Sequence, residues 1–166
     1  MIVEKIQDPY TQYLIHNFLP QDVFDEFNEY SKNLPRYEAR TMHPFKEGKW
    51  HDLLEEPMAD LSDIIKYDFA RHYLELQFDN IDIDWQYNKV HTDNPKKIFT
   101  FVLGLADTGT GTKIYKNKTE FSHQNPYIKN GGTAFFRGEQ TWHDFDAIDC
   151  IEQRRTLIIM VCKKPL

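Results

Sequence analysis

Hydrophobic and polar positions change character once along this chain, near its middle. In "PQDVFDEFNEYSKNLP" (20–35), Val23, Phe24, Phe27 and Tyr30 share one helical face, and Pro35 ends the run. "PMADLSDIIKYDFARHYL" (57–74) repeats that pattern with Leu61, Ile64, Ile65 and Phe69. The β-rich centre of "YTQYLIHNFL" (10–19) predicts a strand, as does "RYEARTM" (36–42). From about Ile81 short β-rich runs follow one another: "IDIDWQYNKVH" (81–91), "KIFTFVLGLAD" (97–107), "GTKIYKN" (111–117), "GTAFFRG" (132–138) and "RRTLIIMVC" (154–162). "TDNPK", "TGTG", "NPYIKNGG" and "DFDAID" separate them. Strands at this spacing with Gly, Asn and Pro turns predict a sandwich or barrel. The expectation is an α+β chain, mainly β, with helices first and the β core after.

Length and composition narrow the function classes. At 166 residues one domain spans the chain, with a strand and helices over 1–80 and a β core over 81–166. Net charge is −6 and no basic run exceeds two residues, which argues against a nucleic-acid or anionic-membrane surface. "MIVEKIQDPY" lacks the basic head and apolar run of a signal peptide, and the longest strongly apolar run, "LIIMVC" (157–162), is far too short to span a bilayer. Cys150 and Cys162 make no disulfide framework and no C-x-x-C. A reduced, cytoplasmic setting is the expectation.

The candidate chemistry lies in "VHTDNP" (90–95). Residues i and i+2 of an extended segment point the same way, so His91 and Asp93 can share a site. Two imidazoles and one carboxylate on one face of a divalent ion leave other positions open, as in non-haem iron(II) oxygenases. His143 in "QTWHDF" is the best second imidazole, because it follows a strong strand and a Gly turn. His16, His43, His51, His72 and His123 have no acidic partner at i+2 and read as ordinary structural or surface residues.

An oxo-acid co-substrate would need a buried cation for its far carboxylate, ideally a bidentate arginine. "RRTLIIMVC" opens an apolar strand with two arginines. By alternation Arg154, Thr156 and Ile158 share one face, and Arg155, Leu157 and Ile159 the other, so only one arginine can point inward. Thr156 beside Arg154 favours Arg154. The alternative is that both arginines cap the strand end in solvent.

In order and spacing, "HTD" (91–93), "TWHDF" (141–145) and "RRTL" (154–157) resemble the iron(II)/2-oxoglutarate-dependent dioxygenases, within them the prolyl-hydroxylase-like group. "HTDNPKKIFTFVLGLAD", "GTGTKIY" and "GGTAFFRGEQTWHDF" resemble the strands and turns around that family's site. The resemblance covers residues 81 to 162. It implies a double-stranded β-helix, or jelly roll, with N-terminal helices packed on its outside. It implies that His91, Asp93 and His143 hold iron(II), and that Arg154 anchors 2-oxoglutarate with help from Thr156. Dioxygen would be the oxidant and ascorbate a candidate reductant. The implied reaction is hydroxylation of an unactivated C–H bond, in a prolyl or other amino-acid side chain of a small molecule or peptide, with release of succinate and CO2. Oligomeric state is not specified.

Two departures stand out. Gly104 occupies a position where many relatives carry a tyrosine on the co-substrate carboxylate. Relatives often have a longer hairpin before H-x-D, where "WQYNKVH" is compact; its Tyr87, four before His91, shares the ligand's face and is a candidate co-substrate contact, or an ordinary core or rim tyrosine. Trp142, Phe136 and Arg137 are candidates for the entrance, and the loops 43–52 and 120–130 for a cover. Rival readings are a zinc hydrolase, which lacks a general base near the triad, and a non-catalytic jelly roll, with or without zinc, that binds a small carboxylic acid.

Overall fold

The structure is a computed structural model, and it describes residues 1–35, 48–81, 86–147, 150, 153–164 and 166, with 86–88 described in the backbone alone. The segment expected as a strand at 36–42 lies outside the described residues. In chain order the elements are β1 (Ile2–Ile6), β2 (Gln12–His16), α1 (Gln21–Lys32), α2 (Lys49–Asp52), α3 (Glu55–Ile65), a 3-10 turn (Phe69–Arg71), β3 (Tyr73–Ile81), β4 (Gln86–His91), β5 (Lys97–Gly104), β6 (Lys113–Tyr115), β7 (Phe121–Gln124), β8 (Gly132–Phe136), β9 (His143–Asp146) and β10 (Arg154–Cys162).

The strands form two antiparallel sheets, one ordered β1-β2-β8-β5-β10-β3 and the other β4-β9-β6-β7. This is the mainly β jelly roll expected, with the helices on the outer face of the larger sheet. Leu157, Ile159 and Val161 of β10, Phe99, Phe101 and Leu103 of β5, and Leu76 and Phe78 of β3 form one buried cluster with Phe24 and Phe27 of α1 and Met58 and Leu61 of α3. Each large side chain taken from water there contributes about 2 kcal/mol. The opposite face of the same strands carries Thr100, Val102, Arg154, Thr156 and Ile158 toward the smaller sheet. Arg154 meets Phe145 of β9 across that gap.

β10 spans the run "RRTLIIMVC" residue for residue. All nine of its residues are buried, because β5 and β3 flank it and helices cover one face. The helical pattern at 57–74 does not run through. α3 stops at Ile65, where Lys66 takes a left-handed φ of 58° and the Tyr67 amide closes back on the Ser62 carbonyl. Beyond it β3 begins at Tyr73, earlier than the β region expected from Ile81. Its alternation of Leu74, Leu76 and Phe78 with Glu75, Gln77 and Asp79 is masked by burial of polar residues on the inner face.

Three strands from the first half therefore belong to the larger sheet: β2 pairs with β8, β1 with β2, and β3 with β10. β1, β7 and β9 were not expected. β1 and β7 are edge strands with largely exposed side chains, so neither carries a strong apolar alternation. β9 runs into what reads as the separator "DFDAID", because its polar Asp144 and Asp146 are buried in a strand between β4 and β6. No helix among the described residues is long and apolar enough to cross a membrane.

Candidate metal centre

β4 and β9 are paired so that His91 stands directly opposite His143. Asp93 follows two residues beyond the end of β4, where the chain turns toward β5. Ligand atoms of His91, Asp93 and His143 all lie within 4.8 Å of one another, and the two imidazole centroids are 4.5 Å apart. No other cluster of three His, Cys, Asp or Glu side chains among the described residues has this geometry.

Hydrogen bonds fix the ligand forms. The Nδ1 of His91 lies 2.8 Å from the Lys89 carbonyl, and that of His143 2.9 Å from the Thr141 carbonyl. A carbonyl only accepts, so each Nδ1 carries a proton, and a neutral ring so held has its Nε2 lone pair left for another partner. Thr100 Oγ1 donates to Asp93 Oδ2 at 2.7 Å, and Lys97 Nζ donates to Oδ1 at 2.5 Å. Arg137 Nε donates to the Asp93 carbonyl at 3.2 Å.

Burial alone would raise the Asp93 carboxyl pKa. The charges of Lys97 and His143 and the two donated hydrogen bonds outweigh it and hold the group down at about 2. Burial, with His91 adding to it, lowers His143 to about 4 against the opposing pull of Asp93. At neutral pH the site is therefore a carboxylate beside an uncharged His143 imidazole, the forms a divalent metal takes.

Arg154 is the largest fully buried side chain described. Its Nε donates to the Thr110 carbonyl at 3.3 Å and its Nη1 to Thr156 Oγ1 at 3.2 Å, and the guanidinium lies 4.3 Å from the Phe145 ring centroid. A single narrow cleft is lined by Asp93, His143, Thr100, Phe145 and Arg154. It thus joins two of the three triad residues to a buried cation. Arg155 points the other way, and its Nη1 donates to Asn28 Oδ1 at 2.7 Å and Ser31 Oγ at 2.9 Å in α1. Neither arginine caps the strand in solvent, which corrects that alternative.

Gly104 lines a second small cavity, which shares Val102, Thr112 and Arg154 with this cleft. A Cβ there would come within 2.5 Å of the Ile128 carbonyl oxygen and 2.8 Å of the Tyr127 ring. Tyr127 holds its place by donating to the Ala106 carbonyl at 2.9 Å and accepting from the Ala106 amide at 2.8 Å, and burial pushes its phenol up to about 12. It lines that second cavity with Gly104, Thr133, Arg154 and Thr156. No sequence signal marks Tyr127, which sits in a turn-rich segment. Tyr10 also supports the site. Its hydroxyl donates to the Trp142 carbonyl at 3.1 Å, and its ring packs edge-on to Phe135, which in turn lies 4.6 Å from the His143 ring. No local signal marks it, since its partners are distant in sequence.

Other candidates fall elsewhere. Tyr87 is opposite Phe145 in the backbone ladder, and its side chain lies outside the described residues. Phe136 packs on Phe99 and Tyr67 in the helix-side core and not at an entrance. His51 bonds the Leu74 carbonyl, His16 meets Glu4, His72 meets Tyr67 and His123 meets Ser122, while His43 lies outside the described residues. The arrangement can hold a divalent ion with open coordination positions, beside a cleft lined by a buried cation.

No protein-family model matches the sequence, and no curated protein matches it. Solved structures do resemble it. A Pseudomonas putida prolyl-4-hydroxylase matches at a TM-score of 0.62 with 12% identity over 95% of each chain. A viral collagen prolyl hydroxylase from Paramecium Bursaria Chlorella virus-1 matches at 0.63 with 14% identity, over 99% of this chain and 96% of that one. The same viral enzyme in its 2-oxoglutarate complex matches at 0.50. A Trichoplax adhaerens prolyl hydroxylase, in complex with a hypoxia inducible factor peptide fragment, matches at 0.59 with 12% identity, over 92% of this chain and 83% of that one. At such identities the likeness establishes a shared fold, the prolyl-hydroxylase jelly roll.

Proposed function

We propose that this protein is an iron(II)- and 2-oxoglutarate-dependent oxygenase that hydroxylates a C–H bond of a prolyl or other amino-acid side chain. One observation carries the reading: Asp93 and His143 of the His91, Asp93, His143 cluster line the same cleft as the buried Arg154. When bound, iron(II) with 2-oxoglutarate and dioxygen supplies the oxidising chemistry that turns C–H into C–OH, leaving succinate and CO2.

The chain's own part is positioning. His91 and His143 present Nε2, held in that tautomer by the Lys89 and Thr141 carbonyls. Asp93 supplies the anionic donor, oriented through Thr100. Arg154, with the Thr156 hydroxyl beside it, anchors the far carboxylate of the co-substrate in a site where burial strengthens the ion pair. Val102, Phe145 and Ile158 make the apolar wall that limits water near the reacting centre. A peptidyl substrate is favoured because one neighbour of the same fold was solved with a peptide.

The test is turnover. Purified protein with iron(II), ascorbate, 2-oxoglutarate and air should form succinate, and proline-containing peptides should gain one oxygen by mass spectrometry. Tight zinc binding with neither 2-oxoglutarate binding nor succinate would instead favour a metal-binding protein without oxygenase chemistry.

A further inference from the structure

The turn after the H-x-D motif returns the chain onto its own carboxylate. Asn94 and Pro95 open it, the residue types favoured at the first two positions of a tight turn, and the Lys97 amide donates to the Asn94 carbonyl at 2.9 Å. The Asn94 side chain accepts from the Lys96 amide at 2.9 Å and stiffens the reversal. Lys97 is thereby delivered beside Asp93, its Nζ 2.5 Å from Oδ1, with only 14% of the lysine side chain and 4% of the aspartate exposed. Lys97 also lines the cleft that runs to Phe145 and Arg154.

A divalent ion held by the triad and the Lys97 ammonium draw on the same carboxylate. From this geometry we propose that Lys97 is a positioning residue that competes with the metal for Asp93 and, once a metal takes that carboxylate, turns its charge toward an acid bound at the metal. The inference rests on the reading given under Proposed function. Two opposite effects of one side chain follow. The ammonium weakens metal binding, since like charges a few ångströms apart repel strongly in a partly buried site. It strengthens binding of the anionic co-substrate to the metal-loaded protein, as a second cation beside Arg154. Thr100 bonds the other carboxylate oxygen, Oδ2, so its hold on Asp93 does not run through Lys97.

The experiment measures two affinities by calorimetry in wild type, Lys97→Met and Lys97→Arg: Mn(II) for the metal-stripped protein, and 2-oxoglutarate for the Mn(II)-loaded protein. In Lys97→Met the metal affinity should rise on the order of tenfold while the 2-oxoglutarate affinity falls by a similar factor, the scale of one charge at this separation. Lys97→Arg keeps the charge and should follow the wild type in both arms. Affinities that fall together in Lys97→Met, or do not move, overturn the proposal and leave the oxygenase reading standing. A wild-type protein that takes neither Mn(II) nor 2-oxoglutarate overturns both.

Discussion

Arg154 and Arg155 are neighbours in β10 and serve opposite sides of the same sheet, Arg154 in the cleft beside Thr156 and Arg155 on Asn28 and Ser31 of α1. Their substitutions should separate cleanly. Arg154→Ala should weaken 2-oxoglutarate binding about a hundredfold, because it removes a buried charge-assisted pair. Arg154→Lys should not restore it, since a single ammonium does not reproduce the guanidinium fork. Arg155→Ala should leave binding near wild type and cost about 1–3 kcal/mol of stability through the groups it leaves unpaired in α1. Calorimetric titration with 2-oxoglutarate and urea unfolding check the two arms.

Gly104 and Tyr127 form a second matched pair. Tyr127→Phe keeps the ring but strands the Ala106 amide and carbonyl, and should destabilise by about 1–3 kcal/mol in urea. Gly104→Ala should destabilise more, because its Cβ would meet the Ile128 carbonyl, which is backbone and cannot swing aside.

Metal should stabilise the folded chain through the triad. At a hundredfold excess over the dissociation constant the gain is about 2.7 kcal/mol by mass action. Thermal unfolding with and without Mn(II) should therefore show a rise in midpoint for wild type and none for Asp93→Ala, which lacks the only anionic ligand.

The metal-free protein should lose stability on acidification. His143 titrates near 4 in the fold against an ordinary 6.5, and Asp93 near 2 against 3.8. Both are depressed, so the unfolded chain binds more protons, and stability falls as pH drops from about 6.5 to 4 through His143 and from about 3.8 to 2 through Asp93. In His143→Asn, urea midpoints between pH 6.5 and 4 should depend less steeply on pH.

How much of this is legible in the sequence depends on where each signal lives. β10 is plain because a fully buried strand writes a continuous apolar run, and the alternation that separates Arg154 from Arg155 is local. The H-x-D pair is plain because both residues sit on one extended segment. β3 is obscured because Glu75, Gln77 and Asp79 are buried on its inner face, so its apolar residues follow helical residues without a break in hydrophobicity. Tyr127 and Tyr10 are invisible for another reason. Each reaches the site from a connection far away in sequence, and only the pairing of β2, β8 and β5 brings those connections in. The turn that puts Lys97 on Asp93 is readable as a turn, but its direction emerges only in three dimensions.

The most direct measurement is anaerobic visible absorption of the protein mixed with iron(II) and 2-oxoglutarate. A co-substrate chelated to iron at the triad gives a weak charge-transfer band. It should appear in wild type and in Arg155→Ala, vanish in His143→Ala, and need far more 2-oxoglutarate in Arg154→Ala. Absence of the band in wild type at saturating iron(II) and 2-oxoglutarate, or its persistence in His143→Ala, would contradict the site described.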